Sequence, residues 1–325
     1  MRGKTKEVIA ILLADIHLSL KAPVWRSAEP DWLRAQLRPL DEVKGLQLRY
    51  KCPVLCAGDI FDRNRGIADG WNAPPELINY AMSHLPNNMY CIPGQHDLPN
   101  HRYEDIKRSA YWTLVEAGKI TNLSPETDGV SYGKGMMRIF AFPHGCPIRP
   151  CSVPRMAGRL YIAVVHDYVW IPGSSYSGAP KEKKIRSTKL RNGRLMGYDV
   201  IVYGDNHKGF KAKIGKTTIF NCGTLMRRKS DEIDYKPQVG LLLKSGMVIP
   251  HYLDISKDKY LLTADPKGER PELDLKSFME KLEKLGKTEL DFEDAMEEFI
   301  RAGKVCIEAG QIILEAMEKD NGKKD

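Results

Sequence analysis

The sequence contains no apolar segment long enough to cross a membrane, which needs about 20 consecutive apolar residues. Its 325 residues are 42% apolar, an ordinary share for a globular protein. The N-terminus has a basic start followed by an apolar run, as a signal peptide does. That run spans only Val8 to Ala14 and ends at Asp15. We therefore predict a first core strand rather than a signal peptide, and no membrane partner.

The sequence also lacks the paired cysteine motifs of a zinc knuckle. Its seven cysteines are an odd number, and the Cys52-x3-Cys56 and Cys146-x4-Cys151 spacings have no matching second pair. Most of the others lie in or beside apolar runs. Reduced thiols in a cytoplasmic protein are the simpler interpretation.

Acidic residues are fewer than basic ones, 42 against 50, which gives a formal net charge of +8. A pI near 9.0 favours a polyanionic partner. Nucleic acid is favoured over a membrane surface because no basic amphipathic helix stands out. Solubility alone also explains such a charge, so both interpretations stay open.

Short apolar strands alternate with helical segments through the first third of the chain, which predicts an α/β sandwich. The strands are predicted at 8–14, 53–57 and 88–92, and the helices at 32–50, 75–85 and 103–117. The middle of the chain is richer in β-structure. Strands are predicted there at 130–132, 137–142, 161–165, 198–203, 217–220, 239–244 and 247–252.

The composition changes near Leu262. Residues 1–262 are predicted to form the main domain and residues 263–272, polar with two prolines, a linker. Apolar residues then recur at helical spacing through 273–318, which predicts a helical C-terminal segment. The charged tail, 319–325, is predicted to be disordered.

Five of the apolar runs end in residues that can bind a metal ion. In open sheets, binding sites collect at the carboxyl ends of the strands, so these residues can converge on one site. Their ligand atoms are nitrogen and oxygen without thiolate, which suits a pair of Mn²⁺-, Fe²⁺- or Zn²⁺-class ions. The residues are Asp15 and His17, Asp59, Gln95 and His96, His166, and Asp205 and His207.

The order of these motifs resembles that of the calcineurin-like metallophosphoesterases, whose pattern is DxH, GDxxD, GNH(D/E), H and GHxH. The matching segments are Asp15-x-His17, Gly58-Asp59-x-x-Asp62, Gly94-Gln95-His96-Asp97, His166 and Gly204-Asp205-Asn206-His207. Each motif alone is weak, whereas the ordered set is specific. The resemblance covers about residues 7 to 255 and implies a four-layer α/β/β/α sandwich.

A further segment, Asn221 to Arg228 followed by Lys236-Pro237, is similar to a stretch of SbcD-like nucleases, the nuclease subunits of a DNA double-strand-break repair complex. This resemblance implies that DNA is the substrate. It also implies a coiled-coil ATPase partner of the SbcC type, bound through the C-terminal helices, and a possible homodimer. The helices can equally pack on their own domain.

The resemblance implies a role for each matched residue. Asp15, His17 and His207 would hold the first metal ion, and Asp59 would bridge both ions. Gln95, His166 and Asp205 would complete the second site. His96 would be the catalytic histidine at the leaving oxygen, with Asp97 orienting its ring. The residues expected to contact substrate are Trp25, Arg26, Asn221, Arg227 and Arg228.

Two expected ligands depart from the family pattern, and both belong to the second site. Gln95 replaces the usual Asn, and Asp205 replaces a usual His. Amide and carboxylate oxygens favour Mn²⁺ or Mg²⁺ over Zn²⁺. We therefore expect two divalent ions, Mn²⁺ first, with Mg²⁺, Fe²⁺ or Zn²⁺ as alternatives.

The predicted activity is hydrolysis of DNA, as an exonuclease or endonuclease in DNA repair or recombination, by a water that two metal ions activate. Two alternatives stay open. The chain is either a phosphatase or nucleotide phosphodiesterase acting on a small substrate, or a scaffold that binds partners without cutting.

Overall fold

A computed structural model of the protein describes residues 7–62, 73–133, 135–176, 178–185, 196–229 and 232–261. The chain divides into two compact units, one formed by Met1–Lys21 with Asp31–Asp258 and the other by Ala22–Pro30 with Lys259–Asp325. This division places the end of the larger unit slightly before the predicted boundary. The predicted linker, C-terminal helices and tail, residues 263–325, lie outside the described residues.

The larger unit contains two six-stranded sheets. In the first sheet, the parallel strands β1 to β4 are followed on the β1 side by β11 and β12, which pair antiparallel, in the order β12-β11-β1-β2-β3-β4. The strands are β1 Val8–Leu13, β2 Val54–Cys56, β3 Met89–Cys91, β4 Ile120–Asn122, β11 Gln238–Leu243 and β12 Val248–Tyr252.

The second sheet has four parallel strands with one antiparallel strand at each edge, in the order β5-β6-β7-β8-β10-β9. Its strands are β5 Val130–Tyr132, β6 Met137–Phe142, β7 Leu160–His166, β8 Val200–Gly204, β9 Phe210–Ile214 and β10 Thr217–Asn221. The parallel strands read as continuous buried runs because both faces of the sheet are covered.

Three α-helices pack on one face of the first sheet: α1 Trp32–Tyr50, α2 Pro75–His84 and α3 Ala110–Glu116. The Asp31 side chain caps α1 by accepting a hydrogen bond from the Arg34 backbone N–H. Leu40 and Val43, one helical turn apart, bury against the sheet. The opposite face of the first sheet packs on the second sheet around Leu12 and Val164.

The outer face of the second sheet has an aromatic core that includes Phe140, Tyr161 and Tyr203. Loop residues such as Ile148, Val153 and Ile171 cover it. The fold is therefore the mixed α/β sandwich that the sequence predicts. The outermost layer on this side lies over the aromatic core, and the described residues supply loops and one 3-10 turn there.

The predicted helix 103–117 is two helices in the structure. A 3-10 helix, Tyr103–Arg108, ends at Ser109, and α3 begins immediately after it. Ser109 is extended and its hydroxyl accepts a hydrogen bond from the Trp112 backbone N–H, so it caps a new helix.

Strands β4 and β9 were not predicted. In the described part of the chain, no helix combines the length and the apolar character of a membrane span.

Candidate metal centre

Loops after five parallel strands of the two sheets meet at one edge of the sandwich. They follow β1, β2, β3, β7 and β8. Three groups of side chains could each hold a metal ion, because the ligand atoms within each group lie within 4.8 Å of one another. The groups are Asp15 with His17 and His207, His17 with Asp59 and His96, and Asp15 with Asp59 and His166. The structure thus brings six of the predicted residues into one cluster.

The Asp59 carboxylate lies at the centre of this cluster. Its Oδ2 atom is 3.5 Å from His166 Nε2 and 3.8 Å from the Nε2 atoms of both His17 and His96. Its Oδ1 accepts a hydrogen bond of 2.9 Å from the His96 backbone N–H. Asp59 is fully buried, and no hydrogen bond from the described residues reaches Oδ2. A buried, unbonded carboxylate oxygen is costly unless a cation or a proton accompanies it.

The first half of the centre consists of Asp15, His17 and His207. The Nε2 atoms of His17 and His207 face each other at 3.1 Å, and His17 Nε2 is 4.0 Å from Asp15 Oδ1. Behind His207, Glu232 Oε1 is 3.4 Å from the other ring nitrogen, Nδ1. A carboxylate behind an imidazole fixes the ring and leaves Nε2 directed into the cluster.

The second half consists of Gln95, His166 and Asp205. His166 Nδ1–H donates to the Ala57 carbonyl oxygen at 2.5 Å, which directs Nε2 into the cluster. There Nε2 is 2.5 Å from Gln95 Oε1. The Gln95 amide N–H in turn donates to Asp205 Oδ1 at 2.9 Å. Asp205 therefore lies beside Gln95 but outside the three ligand groups, and its backbone N–H donates to the Asp15 carboxylate at 3.1 Å.

Four residues in and beside the cluster have left-handed backbone conformations, which non-glycine residues seldom adopt. The φ angles are 51° at Asp15, 50° at His17, 56° at Asp59 and 83° at Asp205. These angles turn the chain sharply as each strand ends, so that the side chain points into the cluster. Backbone strain of this kind concentrates at functional sites.

Glycines before the ligands permit the close approach of the loops. A Cβ atom on Gly58, whose φ is 98°, would lie 2.3 Å from His166 Nδ1. On Gly94 it would lie 2.0 Å from Asp59 Oδ1. Any larger residue would displace these two side chains, so both glycines are required by packing at the centre.

Burial and mutual charge shift the pKa values of the acidic residues in opposite directions. Burial raises the pKa of Asp15 to about 7, against the opposing effect of His207 and His166. Burial also disfavours ionised Asp59, but the surrounding His166 and His96 outweigh it and hold its pKa well below the usual value. Asp59 is therefore a carboxylate whose charge depends on positive charge close by.

The pKa values of the histidines also shift in opposite directions. Burial lowers the pKa of His17 well below its usual value, although Asp59 opposes the shift. For His166, burial is outweighed by Asp59 and the pKa is raised well above the usual value. Burial likewise lowers the pKa of His207, but its hydrogen bond with Glu232 produces a net rise. The cluster thus attracts a positive charge between His166 and Asp59, from a proton or a metal ion.

Asp97 joins two of the loops at the centre. Its carboxylate accepts backbone hydrogen bonds from Ile60 at 3.0 Å, Phe61 at 3.1 Å and Gly94 at 3.0 Å. These bonds fasten the loop after β2 to the loop after β3, which carries His96. Asp97 therefore positions the two loops through their backbone, and its role in orienting the His96 ring stays a prediction.

The residues expected to contact substrate have structural partners. Asn221 is fully buried and donates to the carbonyl oxygens of Asn206, at 2.7 Å, and Lys208, at 3.1 Å, on either side of His207. Arg227 pairs with Asp258 at 3.0 Å. These contacts are what hold the 221–228 segment in place.

Arg228 and Arg26 are also engaged. Arg228 donates to the His17 carbonyl oxygen and pairs with Asp62, whose Oδ1 is 3.8 Å from His17 Nδ1. It therefore supports a ligand residue. In the smaller unit, Arg26 pairs with Glu29 at 2.6 Å, and the neighbouring Trp25 is half-buried and accepts a backbone bond from Leu261.

Two residues at the centre were missed by the sequence analysis. The His144 ring is 6.3 Å from the His166 ring, centroid to centroid. It follows β6 by two residues, so the strand-end rule that found the other ligands could have found it. Glu232 follows no strand end, and no local pattern indicates its contact with His207.

This donor set fits divalent metal ions. The orphaned oxygen of Asp59 faces three imidazole nitrogens, and His166 Nε2 faces a second acceptor, Gln95 Oε1, at 2.5 Å. Such acceptor pairs attract only when a positive charge lies between them. Nitrogen and oxygen ligands without thiolate suit Mn²⁺, Fe²⁺ or Zn²⁺.

Comparison with solved structures gave matches of low similarity. The sulfate thiohydrolase SoxB of Thermus thermophilus is 11% identical with a TM-score of 0.47, over 80% of this chain and 59% of that one. An archaeal phosphodiesterase is 12% identical with a TM-score of 0.33, over 77% and 96%. A 5'-nucleotidase precursor, also of Thermus thermophilus, is 14% identical with a TM-score of 0.40, over 75% and 54%. The match thus spans less than two thirds of two of these three proteins.

No curated protein gave a match to the sequence. The family model described as calcineurin-like phosphoesterase matches residues 11–209, which include the loops that carry Asp15, Asp59, His96, His166 and Asp205. That match covers more than half of the chain and agrees with the two-sheet fold and the clustered ligands. The chain therefore belongs to the calcineurin-like phosphoesterase family.

Proposed function

We propose that this phosphoesterase is a metal-dependent DNA phosphodiesterase, a nuclease of the SbcD-like kind. The observation that carries the catalytic part is the buried Asp59 carboxylate between the two halves of the centre, with His96 beside it. A shared carboxylate is what a pair of cations requires, because it offsets their mutual repulsion. The net charge of +8 supports a polyanionic substrate.

In this proposal Asp15, His17 and His207 would hold one divalent ion, and Asp59 would contact both ions. Gln95, His166 and Asp205 would hold the second, in place of the present Gln95–Asp205 hydrogen bond. Mn²⁺ is the proposed ion, since the second half is rich in oxygen ligands. When bound, such a pair lowers the pKa of a water molecule and neutralises charge on a phosphate group.

His96 is the proposed general acid. Its backbone N–H donates to Asp59 Oδ1, and its half-buried ring lies 3.8 Å from Asp59 Oδ2. A ring held there can donate a proton to the oxygen that leaves a phosphodiester. Asp97 contributes indirectly, because it fastens together the loops that carry Asp59 and His96.

DNA as the substrate rests on charge, since Asn221, Arg227 and Arg228 have structural bonds. DNA repair, a coiled-coil ATPase partner and a homodimer follow from the SbcD-like resemblance alone, and a cytoplasmic site of action follows from the unpaired cysteines. The helices proposed to bind the ATPase lie outside the described residues.

An assay with end-labelled linear duplex, single-stranded DNA and bis(p-nitrophenyl) phosphate, with Mn²⁺, Mg²⁺ or Zn²⁺, tests the activity. We expect cleavage of DNA with Mn²⁺. Intact DNA together with hydrolysis of the small ester would replace the nuclease with a small-substrate phosphodiesterase. No hydrolysis of any substrate would support a scaffold.

His96→Ala tests the division of labour at the centre. We expect it to abolish cleavage while metal content stays as in the wild type, because His96 is proposed to act on substrate. Loss of a metal ion from this variant would instead make His96 a ligand, as its place in one of the three ligand groups would allow.

A further inference from the structure

Lysines recur along edge strand β9 and on either side of it, in the segment His207-Lys-Gly-Phe-Lys-Ala-Lys-Ile-Gly-Lys. Phe210, with Ala212 and Ile214, packs into the outer core of the second sheet. Alternation along the strand therefore directs Lys211 and Lys213 to the opposite side, where both are exposed. We define the lysine row as Lys208, Lys211, Lys213 and Lys216.

Three lysines of the row, Lys211, Lys213 and Lys216, carry uncompensated positive charge. Within the described residues, these three form no ion pair. Other surface cations do, for example Lys183 with Asp167 at 2.6 Å and Arg155 with Asp199 at 2.6 Å. The three lysines are thus available to a polyanion.

The row begins at the metal centre and leads away from it. The His207 carbonyl oxygen accepts a hydrogen bond from Thr224, and Phe210 pairs with Asn221 at the carboxyl end of β10. Strand β10 is parallel to β8, whose end carries Asp205, so the antiparallel β9 runs in the opposite direction. Lys211 and Lys213 are about 6.6 Å apart along the strand at 3.3 Å per residue.

An exposed aromatic residue lies beside the start of this row. Tyr252, 60% exposed, ends edge strand β12 and pairs with Gln238. Its strand neighbour Val248, four residues earlier, packs between the sheets, so Tyr252 points to that same side. The Gln238 side chain lies against Gly209, the residue just before β9, because a Cβ atom added to Gly209 would be only 2.4 Å from the Gln238 amide nitrogen. Register and packing together place Tyr252 next to the first lysines of the row.

Building on the proposed function, we propose that the lysine row and Tyr252 form a binding surface for the DNA strand that leaves the metal centre. The lysines contact successive phosphates, and Tyr252 stacks on a base. Cations along a track with an exposed aromatic ring are the combination used to bind single-stranded nucleic acid. Lysines on an edge strand also prevent sheet-to-sheet aggregation, but that role does not require an exposed tyrosine beside them.

The experiment compares two triple variants of the full chain. The row variant is Lys211→Gln, Lys213→Gln and Lys216→Gln. The control variant, Lys44→Gln, Lys51→Gln and Lys119→Gln, removes the same charge from α1 and from the residues before β2 and β4, at the amino ends of the strands. Unchanged thermal unfolding midpoints show that both variants are folded.

Binding of fluorescent single-stranded and duplex DNA is measured from 50 to 300 mM salt. Each lost phosphate contact reduces the slope of log K against log salt by about 0.9 for duplex and about 0.7 for single strands. We expect the row variant to lose about 2 units of slope on single strands and roughly tenfold or more in affinity. We expect the control variant to lose less than threefold, and the KM for DNA to rise in the row variant alone.

Tyr252→Ala separates DNA from other polyanions. Loss of base stacking should weaken the binding of single-stranded DNA roughly tenfold and should leave the binding of heparin unchanged. Equal loss for both ligands would refute the stacking role. Row and control variants that bind DNA with the same affinity and salt slope as the wild type would overturn the proposal and leave the lysines as edge protection. Wild-type protein that neither binds nor cuts DNA would overturn the proposed function as well, so the two failures are distinguishable.

Discussion

The two halves of the centre share Asp59 but are built differently. In the first half, Asp15, His17 and His207 converge directly, and Glu232 supports His207 from behind. In the second half, Gln95 and Asp205 are hydrogen-bonded to each other at 2.9 Å. In the proposed centre, an ion in the second half would compete with that bond, whereas in the first half two imidazole nitrogens already face each other.

This difference predicts unequal affinities. Preorganised ligands with a fixed imidazole bind a metal tightly. Amide and carboxylate oxygens that are satisfied by each other bind less tightly and favour harder ions. We therefore expect the first half to bind a divalent ion first, and the second half to fill at higher concentration.

Asp59→Ala has the largest expected effect, because it removes the carboxylate proposed to contact both ions. We expect the ion in the weaker site to be lost, binding of the ion in the tighter site to be weakened, and phosphodiester hydrolysis to fall at least about a thousandfold. Metal content after dialysis and kcat with saturating Mn²⁺ measure this. A variant that retains both ions would show that Asp59 is not shared.

Removing one ligand from each half separates the two. We expect Asp205→Ala to abolish the weaker binding phase in a Mn²⁺ calorimetric titration and to leave the tighter phase. His207→Ala should abolish the tighter phase. If both variants lose the same phase, the centre does not consist of two distinct halves.

Glu232→Gln tests the support behind His207. The amide keeps an oxygen to accept the Arg228 backbone N–H but loses the charge that fixes the imidazole. We expect the tighter phase to weaken about 10–100-fold with the weaker phase unchanged. Equal weakening of both phases would indicate a general disturbance of the fold.

Asp205→His should have the smallest effect, because it exchanges one ligand type for another. Imidazole in place of carboxylate should shift the preference of the second half from Mn²⁺ towards Zn²⁺ by roughly tenfold. Competition between the two ions, read by metal analysis, measures the shift. An unchanged preference would mean that Asp205 does not contact the ion.

Much of the centre could be predicted because the end of a strand is encoded in the sequence around it. Apolar runs that stop at Asp15, Asp59 and His166 are visible in the sequence, and parallel topology then brings them to one edge. The Glu232–His207 contact depends on how a loop folds back, which no local pattern encodes.

The segment Asn221 to Arg228 shows a second limit. Its polar residues read as substrate contacts, yet Asn221 and Arg227 are buried and hold the loops in place. A sequence does not distinguish a cation that faces substrate from one that faces a carbonyl. The fold was likewise predictable in its long elements, such as α1, whereas the break at Ser109 depends on a single side-chain cap.

Electron paramagnetic resonance of the protein loaded with two equivalents of Mn²⁺ tests the central claim most directly. Two ions that share the Asp59 carboxylate should be magnetically coupled, giving a spectrum distinct from that of isolated Mn²⁺. One equivalent should give the isolated-ion spectrum of the first half. An uncoupled spectrum at two equivalents, matching that of Asp59→Ala, would contradict a centre built around Asp59.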